Sequence, residues 1–380
     1  MNLGLSAEQE EVRRLARDFA EREVKPRAEA IDRTLEFPRD LVDKAGELGL
    51  LGMLVPEAFG GAGLDHLSFA IFIEELAKFS GSTAVIVDVH TSVGTEPIVL
   101  FGSDEQQRRW LPDLAHGKTL AAFALTEPEA GSDAAHLKTT AARRGAGYRL
   151  NGSKIFITNA GEADCYIVMA ATSPGSGAAG VTAFVVQGDN PGMEVGPPFK
   201  KMGLNGSAIA EVFFKDCDVA EADRLGAEGE GFRIAMRALD SGRIGISAQA
   251  VGLAQGALDD AVAYVKERKQ FGKPIADLQT IQNKIADMAV KVRAARWMTW
   301  NAAARCDAGV PFTREASMAK LYATDAAMEV TLDALQVFGG YGYLEEYPMA
   351  RRVRDAKACQ IYEGTNQIQR IVIAREVLSA

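Results

Sequence analysis

The sequence predicts an α+β protein that is mainly α, read along the chain as helix, then strand, then helix. Three observations carry this. Apolar residues recur at helical spacing in the opening and closing stretches. Short β-branched and aromatic runs, set between Gly-, Asn- and Pro-rich turns, are confined to the middle. The closing stretch is long, rich in Ala and Leu, and broken at only a few Gly/Pro points, which suggests a bundle. The chain is therefore divided into an N-terminal helical domain (1–118), a middle β-barrel or β-sandwich domain (119–227) and a C-terminal four-helix bundle (228–380).

In the first part, Ser6 is the expected cap of the opening helix, followed at helical spacing by Val12, Leu15, Ala16, Phe19 and Val24. Pro26 is expected to kink or end it. Pro56 to Gly63 reads as a loop. Phe69 to Phe79 and Val85 to Val99 are apolar at helical spacing. The middle strands are expected at 148–150, 154–158, 165–169, 181–186 and 211–214, with Asn151-Gly152 as a tight hairpin. In the last part, four or five long helices are expected, broken at Gly272-Lys-Pro274, Gly309-Val-Pro311 and Gly339-Gly340.

Composition excludes several functions. The 380 residues carry a formal charge of -9 with no long basic run, which argues against nucleic acid or an anionic membrane surface as partner. No stretch is read as a membrane span. The four cysteines and four histidines are scattered, so no metal site is expected. The start runs directly into a helical pattern with no targeting segment, and the expected location is the cytoplasm.

The most informative segment is Ile361-Tyr-Glu363-Gly-Thr-Asn-Gln-Ile-Gln-Arg370. It places a lone carboxylate at a glycine bend before a short helix that Thr365 is suited to cap. Such a glutamate either favours the positive end of the helix dipole or, in an apolar site, acts as a base with a raised pKa. The segment alone leaves both readings open. The same holds elsewhere. Phe123 to Asp133 is a strand entering a Pro/Gly turn that carries Thr126 and Ser132. It is either an ordinary surface turn or a ligand-binding loop. Phe156 and Thr158 share a strand face and either pack in the sheet or face a ring system. Asp240 and Arg243, three apart on a helix, are either an ion pair or a ligand clamp. Arg268 has the donor fork to grip a pyrophosphate. Gly339-Gly340 is either a helix end or a close approach to a ligand. No Gly-x-Gly-x-x-Gly follows a strand, so a dinucleotide fold is not expected.

Taken together and in this order, these motifs resemble those of the acyl-CoA dehydrogenases, and the resemblance covers essentially the whole chain. It implies an FAD enzyme that converts a saturated acyl-CoA to the trans-2-enoyl-CoA. Glu363 takes the α-proton, the β-carbon delivers hydride to flavin N5, and the glutamate backbone N–H polarises the thioester carbonyl. It implies FAD contacts from Phe123, Leu125, Thr126, Ser132, Phe156, Thr158, Arg268, Phe271, Gln279, Gln336, Gly339, Gly340, Thr365 and Gln367. The acyl-CoA falls to Ser132, Asp240, Arg243 and Gly364. It implies electron transfer to an electron-transferring flavoprotein and a homotetramer whose neighbouring subunit completes the FAD site. Some branched- and long-chain members carry their glutamate at the position of Gly242. The pairing of Gly242 with Glu363 is the short- and medium-chain arrangement. The chain departs from the family pattern at Glu129 (usually Gly), Phe156 (usually Trp), Asn205 (usually Arg), Lys215 (usually Glu) and Ala220 (usually Pro). An oxidase using oxygen, or a non-catalytic flavin-binding adaptor, are the alternative readings.

Overall fold

The computed structural model describes residues 4–379. Helix α1 (Ala7–Phe19) opens with a reciprocal cap. Ser6 Oγ accepts from the Gln9 amide at 3.1 Å while Gln9 Oε1 accepts from the Ser6 amide at 2.9 Å. Pro26 removes a helical donor, and the chain passes through a wide turn at Ala20–Val24 and a tight one at Lys25–Arg27. It continues as α2 (Ala28–Thr34) and α3 (Arg39–Glu47). Helix α4 (His66–Ala77) is buried almost all round, as its unbroken apolar run requires. Helices α5 (Gly81–Asp88) and α6 (Glu96–Phe101) are joined through a π-helical stretch, Val89–Thr95, and α7 (Asp104–Ala115) follows. Gly81–Phe101 runs as one continuous rod. Its 21 residues are long and apolar enough to cross a membrane, yet 83% of its most apolar window is buried inside the fold.

The middle strands are β1 (Ala121–Ala124), β2 (Thr140–Arg144), β3 (Gly147–Thr158), β4 (Cys165–Ala171), β5 (Val181–Gln187), β6 (Met193–Val195), β7 (Ile209–Ala220) and β8 (Arg224–Leu225). They form one sheet in the order β6-β7-β3-β2-β4-β5-β8, with β1 parallel to β4. Tyr148, Leu150 and Val212 from one half meet Tyr166, Val168 and Phe184 from the other in a single apolar cluster. The sheet therefore curls over its own core. Its outer face packs Ile167, Met169 and Val185 against Leu111 and Leu114 of α7 and Ile234 of the last part.

Asn151-Gly152 is not a hairpin. The strand runs through it with a register shift, and Gly152 at φ +147° leaves no room for a Cβ beside Thr139. The hairpin is Gly145-Ala146, between paired Arg144 and Gly147.

The last part holds α8 (Gly231–Glu267), α9 (Gln279–Asp307), α10 (Thr313–Phe338), α11 (Met349–Cys359) and α12 (Asn366–Leu378). A small hairpin, β9 (Lys269–Gln270) and β10 (Lys273–Pro274), links α8 to α9. Three helices are long, at 37, 29 and 26 residues, and the other two are short. The breaks fall at the expected Gly/Pro points. Helix α8 contributes to the cores of both the helical part and the outer sheet face, so it sets the sheet against the bundle.

Candidate active site

The turn between α11 and α12 carries Glu363. Its backbone is left-handed at Glu363 (φ +52°) and again at Gly364 (φ +89°). For a non-glycine residue this conformation costs about 1–2 kcal/mol, so the surroundings must hold it. They do so through the turn's carbonyls. Buried Gln369 donates to the carbonyls of Glu363 (3.2 Å) and Gly364 (2.9 Å). Lys320, from α10, donates to the Gly364 carbonyl at 2.8 Å and to Asn366 Oδ1 at 2.9 Å. Thr365 Oγ1 accepts from the Ile368 amide at 3.3 Å, the expected cap. Lys320 escapes a sequence reading because its partners lie in a turn more than forty residues away, and Gln369 because its partners are backbone carbonyls, which no side-chain pattern marks.

The Glu363 carboxylate points into a cavity of about 540 Å³. Phe123, Leu125, Thr126, Ser132, Phe156, Thr158, Arg243, Gly364 and Thr365 line it alongside Glu363, so ten of the expected site residues converge from four separate segments. Val89, Val93, Phe232, Met236, Leu239, Ile361 and Ile368 add an apolar wall that helical periodicity alone assigns to the core. Burial pushes the Glu363 carboxyl up to about 8, with the charges of Arg243 and Lys320 acting to lower it. Its Oε2 is buried without a hydrogen-bond partner. A Cβ on Gly242 would lie 2.7 Å from Glu363 Cδ, so the absence of a side chain there makes the seat for this carboxylate.

Arg243 Nη1 donates to Asp240 Oδ1 at 2.6 Å, and Thr313 donates to Asp240 Oδ2 at 2.5 Å. Asp240 thus stands behind Arg243, and only Arg243 lines the cavity. Arg243 Nε is buried and unpartnered.

The loop after β1 is closed by a buried pair. Lys154 Nζ donates to the Leu125 carbonyl at 3.0 Å and to Glu127 Oε1 at 2.7 Å. Glu127 also accepts from the amides of Lys138 and Thr139, which ties both ends of the loop to one carboxylate. Burial pushes Lys154 down to about 8. Burial alone would raise Glu127, but Lys154 and its other donors bring it below its ordinary value. Glu129, the unusual residue of this loop, pairs with Lys138 at the surface and is not among the cavity-lining residues.

Phe156 sits at φ +60° beside a register shift in β3, so regular strand alternation is broken there. Its ring is nonetheless 63% exposed and lines the cavity with Thr158. An exposed aromatic face, three hydroxyls (Thr126, Ser132, Thr158) and an apolar wall suit a flat heteroaromatic ring.

A second groove, about 410 Å³, contains Arg268, Gly339 and Gly340. The Arg268 guanidinium lies over the Tyr341 ring at 5.3 Å. Phe271, Gln279, Gln336 and Gln367 lie in neither cavity and are exposed, Phe271 at 89%. Within one chain, the expected FAD residues therefore fall into two separate groups.

Comparison with known proteins gives the same reading along the whole chain. Residues 6–118, 122–217 and 229–378 match the acyl-CoA dehydrogenase N-terminal, middle and C-terminal domain models. The chain is 51% identical to an acyl-CoA dehydrogenase of Bacillus subtilis over 98% of its length and 99% of the relative's. It superposes on butyryl-CoA dehydrogenase from Megasphaera elsdenii with a TM-score of 0.98 and 44% identity, each chain covered in full. A chain in a structure described as the electron transferring flavoprotein of Acidaminococcus fermentans matches with a TM-score of 0.99 and 47% identity, again with full coverage of both. A glutamate held in a left-handed turn at an apolar cavity, three consecutive domain matches and a relative at 51% identity lead to one conclusion: this chain belongs to the acyl-CoA dehydrogenase family of FAD-dependent oxidoreductases.

Proposed function

We propose that the chain desaturates a short saturated acyl-CoA to its trans-2-enoyl-CoA, with Glu363 as the base for the α-proton. The supporting observation is the state of that carboxylate: buried, unpartnered at Oε2, and pushed up to about 8. A base is most effective when its pKa lies near the working pH. Arg243 and Lys320 lower the cost of its ionised form, and the locked turn fixes its direction. FAD, when bound, supplies the acceptor for the hydride that leaves the β-carbon.

Phe123, Leu125, Thr126, Phe156 and Thr158 would hold the flavin side of the cofactor, with Ser132 shared between cofactor and substrate. Arg243, backed by Asp240, and Gly364 would hold the acyl-CoA. Arg268, Phe271, Gln279, Gln336, Gly339, Gly340, Thr365 and Gln367 would hold the diphosphate and adenosine, part of them across a subunit interface of a homotetramer. The exposure of several of these in a single chain supports that division. The short-chain preference rests on the likeness to butyryl-CoA dehydrogenase and on Glu363 paired with Gly242. Transfer of electrons to an electron-transferring flavoprotein is supported by the Acidaminococcus match.

The test is anaerobic bleaching of the flavin by acyl-CoA in a stopped-flow instrument. Butyryl-CoA should bleach it faster than palmitoyl-CoA. Glu363→Gln should retain FAD yet bleach roughly 10²–10⁴-fold more slowly, the range for loss of a positioned base. Wild-type bleaching by that variant would remove the assignment of Glu363.

A further inference from the structure

A second carboxyl shares the site with Glu363 and has no part in the mechanism above. Asp88 ends α5 and is completely buried. Its Oδ1 accepts from Ser92 Oγ at 3.1 Å, and its Oδ2 has no partner. A Cβ on Gly245 would lie 2.6 Å from Asp88 Cγ. Gly245 is three residues beyond Gly242, whose missing side chain seats Glu363, so both glycines lie on one face of α8, one turn apart. Two buried carboxyls, each with an unpartnered oxygen, thus occupy adjacent seats on the same helix.

We propose that Asp88 holds its proton while Glu363 is ionised, so that the two seats carry a single negative charge during the reaction. This rests on Glu363 being the base. Two like charges in adjacent low-dielectric seats oppose each other, so the pair carries one negative charge before it carries two. The groups around the seats decide which carboxyl ionises first. Arg243 of α8 and Lys320 of α10 act on Glu363. Asp88 is acted on by Glu363 and by the Ser92 hydroxyl of its own helical stretch, it acts in turn on Tyr362, and bare Gly245 lies against it. Tyr362 is itself bonded to Gln249 of α8 and lies 3.4 Å from the Cys359 thiol of α11. Burial, and then the Glu363 charge, hold Asp88 well above the usual carboxylate range. Asp88 acts through the charge it withholds from Glu363, not by touching substrate.

Flavin bleaching in the holoenzyme should rise with pH as Glu363 ionises. Asp88→Asn, of equal size and neutral, should leave that limb where it is in the wild type, because a protonated Asp88 places no charge beside Glu363. Asp88→Ser serves the same purpose if the amide is not accommodated. If Asp88 were the ionised member of the pair, either variant would remove a negative charge and move the limb to lower pH by about one unit or more, and that outcome overturns the proposal.

A second measurement does not depend on turnover. In Glu363→Gln at about pH 6, a buried carboxylic-acid C=O stretch should appear in the infrared and vanish in Glu363→Gln/Asp88→Asn. Its absence from the single variant would overturn the proposal even if bleaching confirms Glu363. Its presence would uphold the protonated Asp88 even if Glu363→Gln bleaches normally and the base lies elsewhere.

Discussion

Glu363 combines three costs at one residue: a left-handed backbone, a buried carboxylate and an unpartnered oxygen. A helix-capping carboxylate would carry none of these and would be worth about 0.3–1 kcal/mol. The two roles therefore predict opposite effects on stability. The folded carboxyl is pushed up to about 8 from an ordinary 4.5, so the folded state holds this proton more tightly than the unfolded one. Stability should then fall as pH rises between those values. Glu363→Gln removes that dependence. Its stability relative to wild type should increase from about pH 5 to pH 9 by roughly 3–5 kcal/mol at most in the apoprotein, read from urea midpoints. A constant small loss at all pH values would restore the capping role.

At the scale of elements, the loop after β1 depends on the buried Lys154–Glu127 pair. Lys154→Met removes the cation and leaves Glu127 buried against two amides, so it should destabilise the protein by about 3–5 kcal/mol. It should also weaken FAD retention, because Leu125, Thr126 and Ser132 are held by that closure. Unchanged melting temperature and flavin content on dialysis would refute this. Much at this scale is legible in the sequence. The caps at Ser6 and Thr365 are local chemistry, and the Glu363 bend is marked by its glycine. The hairpin is misread because Asn151-Gly152 carries turn residues that serve a bulge instead, while the real turn, Gly145-Ala146, lies beside the charged pair Arg143-Arg144. Asp88 and Lys320 escape notice for one reason. Each lies in an apolar helical run, and only tertiary packing shows that its polar end meets the Glu363 turn. The Gly81–Phe101 rod reads as ordinary core because periodicity does not separate a buried helix from a spanning one.

At the scale of the molecule, the cavity lies where three parts of the chain meet, and long-range polar contacts hold them together. Asp307 at the end of α9 accepts from the His66 amide at 2.7 Å and the Leu67 amide at 3.2 Å at the start of α4. Arg352 of α11 bonds Asp260 of α8 at 2.7 Å and the Lys78 carbonyl at 2.7 Å. The Arg268 groove and the exposed Phe271 and Gln279 lie outside this framework, so the cofactor's far end should depend on assembly. Arg268→Ala should lower both FAD occupancy and the tetramer fraction, measured by absorbance ratio and light scattering. Full occupancy in a monomer would refute the shared site. With a flavoprotein or dye acceptor, turnover should be fast and peroxide scarce. Peroxide formed in step with enoyl-CoA would instead identify an oxidase.

The seat at Gly242 also limits how a carboxylate at this site can change position during descent. Some relatives are expected to carry their glutamate at position 242, yet here that volume already holds the Glu363 carboxylate. A lineage in which Gly242→Glu comes first would force two anions into one space, which overpacks the core and sets like charges together. A lineage losing Glu363 first would keep a well-packed fold but lose the carboxylate that the proposed reaction needs. With Glu363 in its proposed role, either order therefore passes through a form that lacks the carboxylate or crowds two of them into one seat, so the two changes have to arrive together.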